Sequence, residues 1–356
     1  MHGYDFPVTE NGRPAEKPDQ DSLGFGDYYT DHVFLMEYDE DSGWHGGRIV
    51  PYAPLAVDPV AAIFHYAQGV FEGLKAYASP GGGAQLFRPY ENARRSNLSS
   101  ARLCIPAIDE DLYVGAIKAL VKADAGWVPS AEGTSLYIRP FIIATEAFLG
   151  VRPAKEYLFC IIMSPVGAYY KGGLAPTRIF AEDEYVRAAQ GGTGFAKTGA
   201  NYAGCLISQE KAKKLGCNQV LWLDGTERKY VEEIGTSNAF FVIGGKVYTS
   251  PLTGTILPGI TRDSVITLLK SWGCDVLEKR LTIEEVFEAG RQGELSEVFA
   301  TGTAAVISPV GEILWKKDSI EVNGKETGPL ARRLYDAITG IQSGKAEDPF
   351  SWVVKV

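Results

Sequence analysis

The constraint that most narrows the fold is the order of strand-like and helix-like stretches. Runs rich in aromatic and β-branched residues fill Tyr28–Tyr38, Arg48–Leu55, Gly69–Tyr77, Gln85–Phe87, Ser135–Ala144 and Tyr157–Ser164. Helical spacing occupies Pro59–Tyr66, Pro89–Leu103 and Asp109–Ala125 between them. The second half predicts helices over Tyr202–Leu215, Thr261–Trp272, Ile283–Ala289 and Thr327–Gly340. Its strands fall at Gln219–Leu223, Phe240–Ile243, Lys246–Thr249, Glu297–Phe299 and Ala304–Ile307. A doubly wound sheet needs strand and helix to alternate regularly, and here they do not. The pattern predicts an α+β fold of two domains on mixed or antiparallel sheets with packed helices. Trp44–Arg48 reads as a Gly-rich turn, and Pro80–Gly83 and Gly244–Gly245 as hairpin turns. Lys171–Pro176 breaks all periodicity. The expected division is a smaller α/β domain over 1–170, a linker over 171–184 and a larger domain over 185–356.

A chain of 356 residues suits two domains. Its 45% hydrophobic and 22% charged residues are ordinary for a globular protein. The net charge of −9, with no basic run, argues against nucleic-acid or anionic-membrane partners. An anionic ligand must then be held by a few placed cations and backbone amides. No apolar stretch is long enough to span a bilayer, and Met1–Gln20 lacks a signal peptide's apolar core. The five cysteines are scattered and form no Cys-x-x-Cys, and the four histidines lack ligand spacing. Reduced thiols in the cytoplasm and no metal site are expected.

The stretch Gly191-Gly192-Thr193-Gly194-Phe195-Ala196-Lys197-Thr198-Gly199-Ala200-Asn201-Tyr202 holds one cation, Lys197. A lysine kept from water by a small-residue loop has a lowered pKa and becomes a nucleophile toward carbonyls. Two functional readings fit. One is a phosphate-cradling P-loop, which Ala196 spoils by replacing the glycine before the lysine. The charged run Ala181–Arg187 also makes a poor strand to precede it. The other is a lysine that bonds an aldehyde cofactor. Taken alone, the stretch is best explained as a glycine-rich surface loop whose lysine faces water.

Further motifs change that balance. Glu233-Ile234-Gly235-Thr236-Ser237-Asn238-Ala239-Phe240 is followed by Val247-Tyr248-Thr249 and then Leu257-Pro258-Gly259-Ile260-Thr261-Arg262. With the lysine stretch, this spaced set resembles the signature of the class IV (fold type IV) pyridoxal-phosphate aminotransferases. His65-Tyr66-Ala67-Gln68-Gly69-Val70-Phe71-Glu72-Gly73, Tyr137-Ile138-Arg139-Pro140, Phe148-Leu149-Gly150-Val151 and Pro165-Val166-Gly167-Ala168-Tyr169 resemble the branched-chain amino-acid aminotransferases within that class. The likeness runs from about Gly24 to Pro309. It implies reversible transamination of leucine, isoleucine and valine with 2-oxoglutarate, on pyridoxal 5'-phosphate, by a homodimer with shared active sites. Mammalian members carry a redox Cys-x-x-Cys after the Gly-Thr-Ala turn; Ala305 and Ser308 stand there instead, so no such switch is expected.

The chemistry asks for the same residue types. An amine must bind the aldehyde and move a proton at the substrate's α-carbon, and Lys197 is the candidate. A protonated pyridine nitrogen wants a carboxylate, which the resemblance puts at Glu233. The ring's phenolic oxygen wants a donor, Tyr202. By the same resemblance the phosphate goes to Arg95, to Ile260 and Thr261 at a helix start, and to Thr303, while Leu257 packs on the ring. The larger domain is thereby expected to bind the cofactor. The Thr303–Ala304 turn and the Tyr66 hydroxyl would take the substrate carboxylate. Phe71, Tyr137, Tyr169 and Thr236 would line the side-chain pocket, with Leu149 and Val151 from a second subunit and Arg139 assisting glutamate. Taken singly, Glu233 could be a strand-end acid, Arg95 an exposed helix arginine, and Phe71, Leu149 and Val151 core residues. The competing functions are a D-amino-acid transaminase or 4-amino-4-deoxychorismate lyase on the same fold, and a non-enzymatic phosphate- or nucleotide-binding module.

Overall fold

A computed structural model describes residues 4–167 and 174–356. The chain forms two compact units. One is Met1–Tyr169 with Ala196–Gly199 and Gly340–Val356; the other is Tyr170–Phe195 with Ala200–Thr339.

The first unit holds β1 (His32–Asp39), β2 (Gly43–Pro51), α1 (Ala62–Tyr66), β3 (Gly69–Phe71), β4 (Leu74–Ala78), β5 (Ala84–Phe87), α2 (Pro89–Arg102), α3 (Glu110–Ala123), β6 (Ser135–Ala144) and β7 (Tyr157–Val166). Its antiparallel sheet runs in the order Val353–Lys355, β5, β4, β6, β7, β1, β2, and β3 also pairs with β6. Strand β6 organises it. Leu136, Ile138, Ile142 and Ala144 are buried on one face, while Tyr137, Arg139 and Phe141 alternate onto the other. The first set joins a core with Tyr113, Val114, Ile117, Leu120 and Val121, the apolar stripe of α3. Asp109 caps that helix by accepting from the Leu112 N–H.

The run Gly69–Tyr77, which reads as one strand, is interrupted at Glu72–Gly73. The pairings Phe71 with Phe141 and Leu74 with Ile138 belong to a single register. The Glu72 N–H donates to the Pro140 carbonyl at 2.7 Å. Proline has no N–H to return, so the ladder lapses for that pair. Trp44–Arg48, expected as a turn, lies inside β2. Its glycines instead serve an irregular pairing with β1, and a Cβ on Gly47 would stand 2.9 Å from the Phe6 ring.

The second unit holds β8 (Thr177–Glu182), α4 (Gly199–Ala203), α5 (Leu206–Lys214), β9 (Gln219–Leu223), β10 (Val231–Ile234), β11 (Ser237–Ile243), β12 (Lys246–Thr249), α6 (Ile260–Ser271), β13 (Val276–Glu278), α7 (Ile283–Arg291), β14 (Leu295–Gly302), β15 (Val306–Trp315), β16 (Asp318–Glu321) and α8 (Pro329–Gln342). Strands β10, β9, β8, β15, β14 and β11 follow in order, and β10 also pairs with β11. The ring therefore closes into a barrel, with parallel and antiparallel pairs mixed. Ile179, Leu221, Val231, Ala239, Val298 and Ile313 fill its core. Thr177–Glu182 falls within the expected linker, yet it is a strand between β9 and β15. Only Ile179-Phe180-Ala181 is apolar, and the charges that follow mask it in sequence. The single helix expected over Tyr202–Leu215 is two, parted at Gly204–Cys205. Among the described residues no helix is long and apolar enough to cross a membrane.

Ile138 is fully buried at the centre of β6. Ile138→Ala should lower the unfolding free energy by about 2–5 kcal/mol, read from urea titration. A loss under about 0.5 kcal/mol would contradict this packing.

Candidate active site

Lys197 belongs to the four-residue segment that joins the first unit. Its backbone is pinned to β3. The Lys197 carbonyl accepts from the Phe71 N–H at 3.0 Å, and the Thr198 hydroxyl donates to the Gly69 carbonyl at 2.8 Å. Val70 and Thr198 form an antiparallel bridge. The Lys197 N–H donates to Ser99 Oγ at 2.9 Å, from α2. The side chain is thereby aimed into protein, with Nζ 4.8 Å from the centre of the Phe71 ring. Burial presses the amine from 10.5 down to about 8; Arg95 adds repulsion and Glu72 opposes it.

Glu72 and Arg95 form a buried fork. Arg95 Nε and Nη2 donate to the two Glu72 oxygens at 2.7 and 2.9 Å, and Asn92 Nδ2 donates to Oε2 at 2.7 Å. Burial pushes the Glu72 carboxyl up, but Arg95, aided by Lys197 and Asn92, brings it below its ordinary value. Arg95 is thus no exposed helix arginine. The neighbouring Arg94 is, and pairs with Glu91 and Glu110 on the surface.

The period of β6 puts Tyr137 and Arg139 on one face. Arg139 Nη2 donates to the Tyr137 hydroxyl at 2.9 Å, and its guanidinium lies 4.9 Å from the Phe71 ring centre. Gly73 makes room for this, because a Cβ there would stand 2.2 Å from the Tyr137 hydroxyl. Lys197, Phe71, Tyr137, Arg139, Glu72 and Arg95 therefore form one cluster in the first unit.

Tyr66, Leu149 and Val151 form a separate feature. The Tyr66 hydroxyl, expected on a substrate carboxylate, donates to the Leu149 carbonyl at 2.6 Å. That bond is local and leaves the apolar surface open. Leu149 is 55% exposed and Val151 82%. Tyr169 lies outside the described residues.

In the second unit, Glu233 and Asn238 face each other across the β10–β11 hairpin, whose tip is Gly235–Thr236 with Gly235 at φ 59°. Glu233 Oε1 accepts from Asn238 Nδ2 at 3.0 Å and from the Leu257 N–H at 3.1 Å. Its Oε2 lies 2.6 Å from Arg187 Nε, and both side chains are buried. Asn238 Nδ2 also donates to the Leu257 carbonyl at 2.9 Å, which fixes the approach to α6. A Cβ on Gly259, the residue before that helix, would stand 2.0 Å from Asn238 Oδ1, so glycine is required. No side chain caps the helix start, which leaves the amides around Ile260 and Thr261 facing an uncapped end. Thr303 and Ala304 lie in the turn between β14 and β15, and Thr301 Oγ1 just before it is buried with no hydrogen-bond partner among the described residues. Tyr202 is half-buried in α4 and Leu257 is buried.

Three residues that sequence reasoning did not assign to the site are built into it. Ser99 holds the Lys197 amide, Glu72 holds Arg95, and Arg187 holds Glu233. Glu72 sits inside the motif His65–Gly73, so its spacing is visible in the sequence. Arg187 is one charge in the run Glu182–Arg187, and Ser99 one of several small polar residues on α2; neither carries a signal of its own.

Residues 69–313 match the amino-transferase class IV family. The chain is 55% identical to branched-chain-amino-acid aminotransferase 2 of Bacillus subtilis over 98% of this chain and 96% of that one. It is 44% identical to the branched-chain-amino-acid aminotransferase of Mycolicibacterium smegmatis over 99% and 98%. Among solved structures, the Escherichia coli branched-chain amino acid aminotransferase superposes with a TM-score of 0.77 at 28% identity, over 91% and 99%. A T.th. branched-chain amino acid aminotransferase with pyridoxamine 5'-phosphate gives 0.75 at 27%, over 94% and 99%.

In the cofactor-free chain, acylation of Lys197 followed by peptide mapping should show a rate midpoint near pH 8. Between pH 8 and 10.5 the unfolded chain keeps a proton that the folded chain has released. This group's contribution to stability therefore rises with pH through that window. A reactivity midpoint near 10.5 would mean an exposed amine.

Proposed function

The chain belongs to the class IV aminotransferases, and from that premise we propose that it is a branched-chain-amino-acid transaminase. It exchanges the amino group of leucine, isoleucine or valine with 2-oxoglutarate, giving branched-chain 2-oxo acids and glutamate, with pyridoxal 5'-phosphate as cofactor. The observation that carries this reading is the buried amine of Lys197, whose backbone is pinned to β3 and α2 and whose proton affinity is lowered by that burial.

The residues fit such a cofactor. An aldehyde needs a neutral amine, and burial lowers Lys197 from 10.5 to about 8, so that far more of it is neutral than of an exposed lysine. A pyridine nitrogen needs a fixed carboxylate, and Glu233 is oriented by Arg187, Asn238 and the Leu257 amide. A phosphate needs amides and a cation; the uncapped start of α6 and Arg95 are suited to it. When bound, the cofactor draws electrons from the substrate's α-carbon and so loosens its proton. Lys197 would take that proton as base and, as acid, give it back at the carbon on the far side of the nitrogen being transferred. Tyr202 would donate to the ring's phenolic oxygen, Leu257 would pack on the ring, and Thr303 would contribute to the phosphate site. The Thr303–Ala304 turn binds the substrate carboxylate. By the family's pattern Phe71, Tyr137, Tyr169 and Thr236 would line the substrate's side-chain pocket, while Arg139 and the Tyr137 hydroxyl would offer polar contacts to the second carboxylate of glutamate. A division into an N-terminal domain and a larger C-terminal domain that binds the cofactor, and a cytoplasmic location, belong to the same proposal.

Borohydride reduction of the cofactor-loaded enzyme should label Lys197 on peptide mapping, and Lys197→Ala should hold the cofactor only reversibly and lose leucine transamination. A label on Lys211 would overturn the assignment.

The working form is a homodimer that completes each site in trans. Leu149 and Val151 are too exposed for apolar side chains on an isolated loop, and Tyr66 is tied to them by the bond to the Leu149 carbonyl. Tyr66 is therefore lent with the loop. Mixing Lys197→Ala subunits with Leu149→Asp/Val151→Asp subunits under exchange should restore leucine activity, since one site per mixed dimer joins a good lysine to a good loop. Confirmed exchange without recovery would refute the shared site.

A further inference from the structure

Arg187 has no part in the set of residues just proposed to touch cofactor or substrate. It is nevertheless only 6% exposed at its side chain and makes contacts in three directions within the second unit. Nε faces Glu233 Oε2 at 2.6 Å. Nη1 donates to the Thr255 carbonyl at 2.8 Å, two residues before Leu257. Nη1 and Nη2 reach the Gly194 carbonyl at 3.4 and 3.3 Å, three residues before Lys197. Gly194 is itself a place of close approach: a Cβ there would stand 2.4 Å from the Thr255 carbonyl. One guanidinium thus binds the carboxylate, the loop leading into α6 and the glycine loop.

We infer that Arg187 is a positioning residue for transamination: it holds Glu233 charged and in one orientation, and ties that carboxylate to the loop that carries Lys197. The inference rests on the transaminase reading above. The physical grounds are the geometry of the fork and its burial. A guanidinium presents its donors in a fixed plane, so contacts on separate edges lock separate groups relative to one another. An arginine beside a carboxylate favours its ionised form. The other two donors to Glu233, Asn238 and the Leu257 amide, occupy Oε1, so among the contacts described Arg187 is the ionic partner of Oε2. Lysine could supply the charge but not the planar reach to Thr255 and Gly194. Arg187 acts through Glu233, and its effect should vanish when Glu233 cannot be charged.

The test compares Arg187→Gln, Arg187→Lys, Glu233→Gln and the double variant Arg187→Gln/Glu233→Gln, each loaded with pyridoxal 5'-phosphate. Activity is expressed per reduced, Lys197-labelled subunit, so that misfolded protein does not count. Arg187→Gln should lower kcat by about 10- to 100-fold, as expected for a misplaced active-site group, with KM for leucine changed less than about twofold. It should also shift the pH midpoint of the bound cofactor's absorbance by about half a unit or more. Added to Glu233→Gln, the same change should cost less than about threefold further and move the absorbance midpoint no more, the signature of two residues acting as one. Arg187→Lys should lie between wild type and Arg187→Gln. It alone carries the test if Arg187→Gln fails to fold, in which case wild-type kcat and an unmoved midpoint would overturn the inference. So would effects of Arg187→Gln and Glu233→Gln that simply multiply, or a loss confined to KM. If the wild-type enzyme carries no borohydride label on Lys197, the transaminase reading fails instead.

Discussion

The site depends first on keeping one amine dry. A lysine on a glycine-rich loop has every reason to swing into water, where its charge is best solvated. Here the main chain prevents it. The Lys197 carbonyl, the Thr198 hydroxyl and the Lys197 amide are each engaged by β3 or α2, so the side chain must start from a fixed place on a buried surface. The lowered proton affinity follows from that confinement, with burial the largest contribution and Arg95 the next. Glu72 then matters twice over: it balances Arg95, and it keeps the cation field around the amine from becoming prohibitive.

Much of this was legible in the sequence where chemistry and spacing coincide. Lys197, Glu233 and the approach to α6 stand out through their joint resemblance to the class IV signature; the lysine stretch alone reads as a surface loop. Helices with clear apolar stripes, such as α3 and α7, fall close to their expected bounds. What escaped notice depends on partners far away in the chain. Ser99 is one of several small polar residues on its helix until residue 197 arrives beside it. The break between β3 and β4 comes from Pro140, which lies 68 residues after Glu72 and cannot be seen from the local run. Strand β8 has too short an apolar core to outweigh the acids that follow it, and only its neighbours β9 and β15 make it a strand.

The chain is acidic overall, with a formal charge of −9, yet its buried ion pairs are anchored by arginine. Arg95 with Glu72 and Arg187 with Glu233 both use a guanidinium in a largely dry setting. Arginine tolerates such places because its charge is delocalised and its donors are already arranged for a carboxylate. Removing one partner of such a pair leaves an uncompensated charge, which costs far more than the intact pair contributes. The Arg187 pair is therefore held rigidly, and that rigidity fixes Glu233 in one orientation.

The make-up of the first unit bears on how the protein is born. Three separated stretches compose it: the long opening segment, residues 196–199, and residues 340–356. A ribosome delivers the opening segment first, but β5 waits for Val353–Lys355, which emerge only after all of 200–339 has been made. Until then β5 is a bare sheet edge open to pairing with other chains. Nascent molecules of this protein are thus exposed to mispairing for most of their synthesis, and a chaperone that shields β-edges during translation would act on this unit in particular.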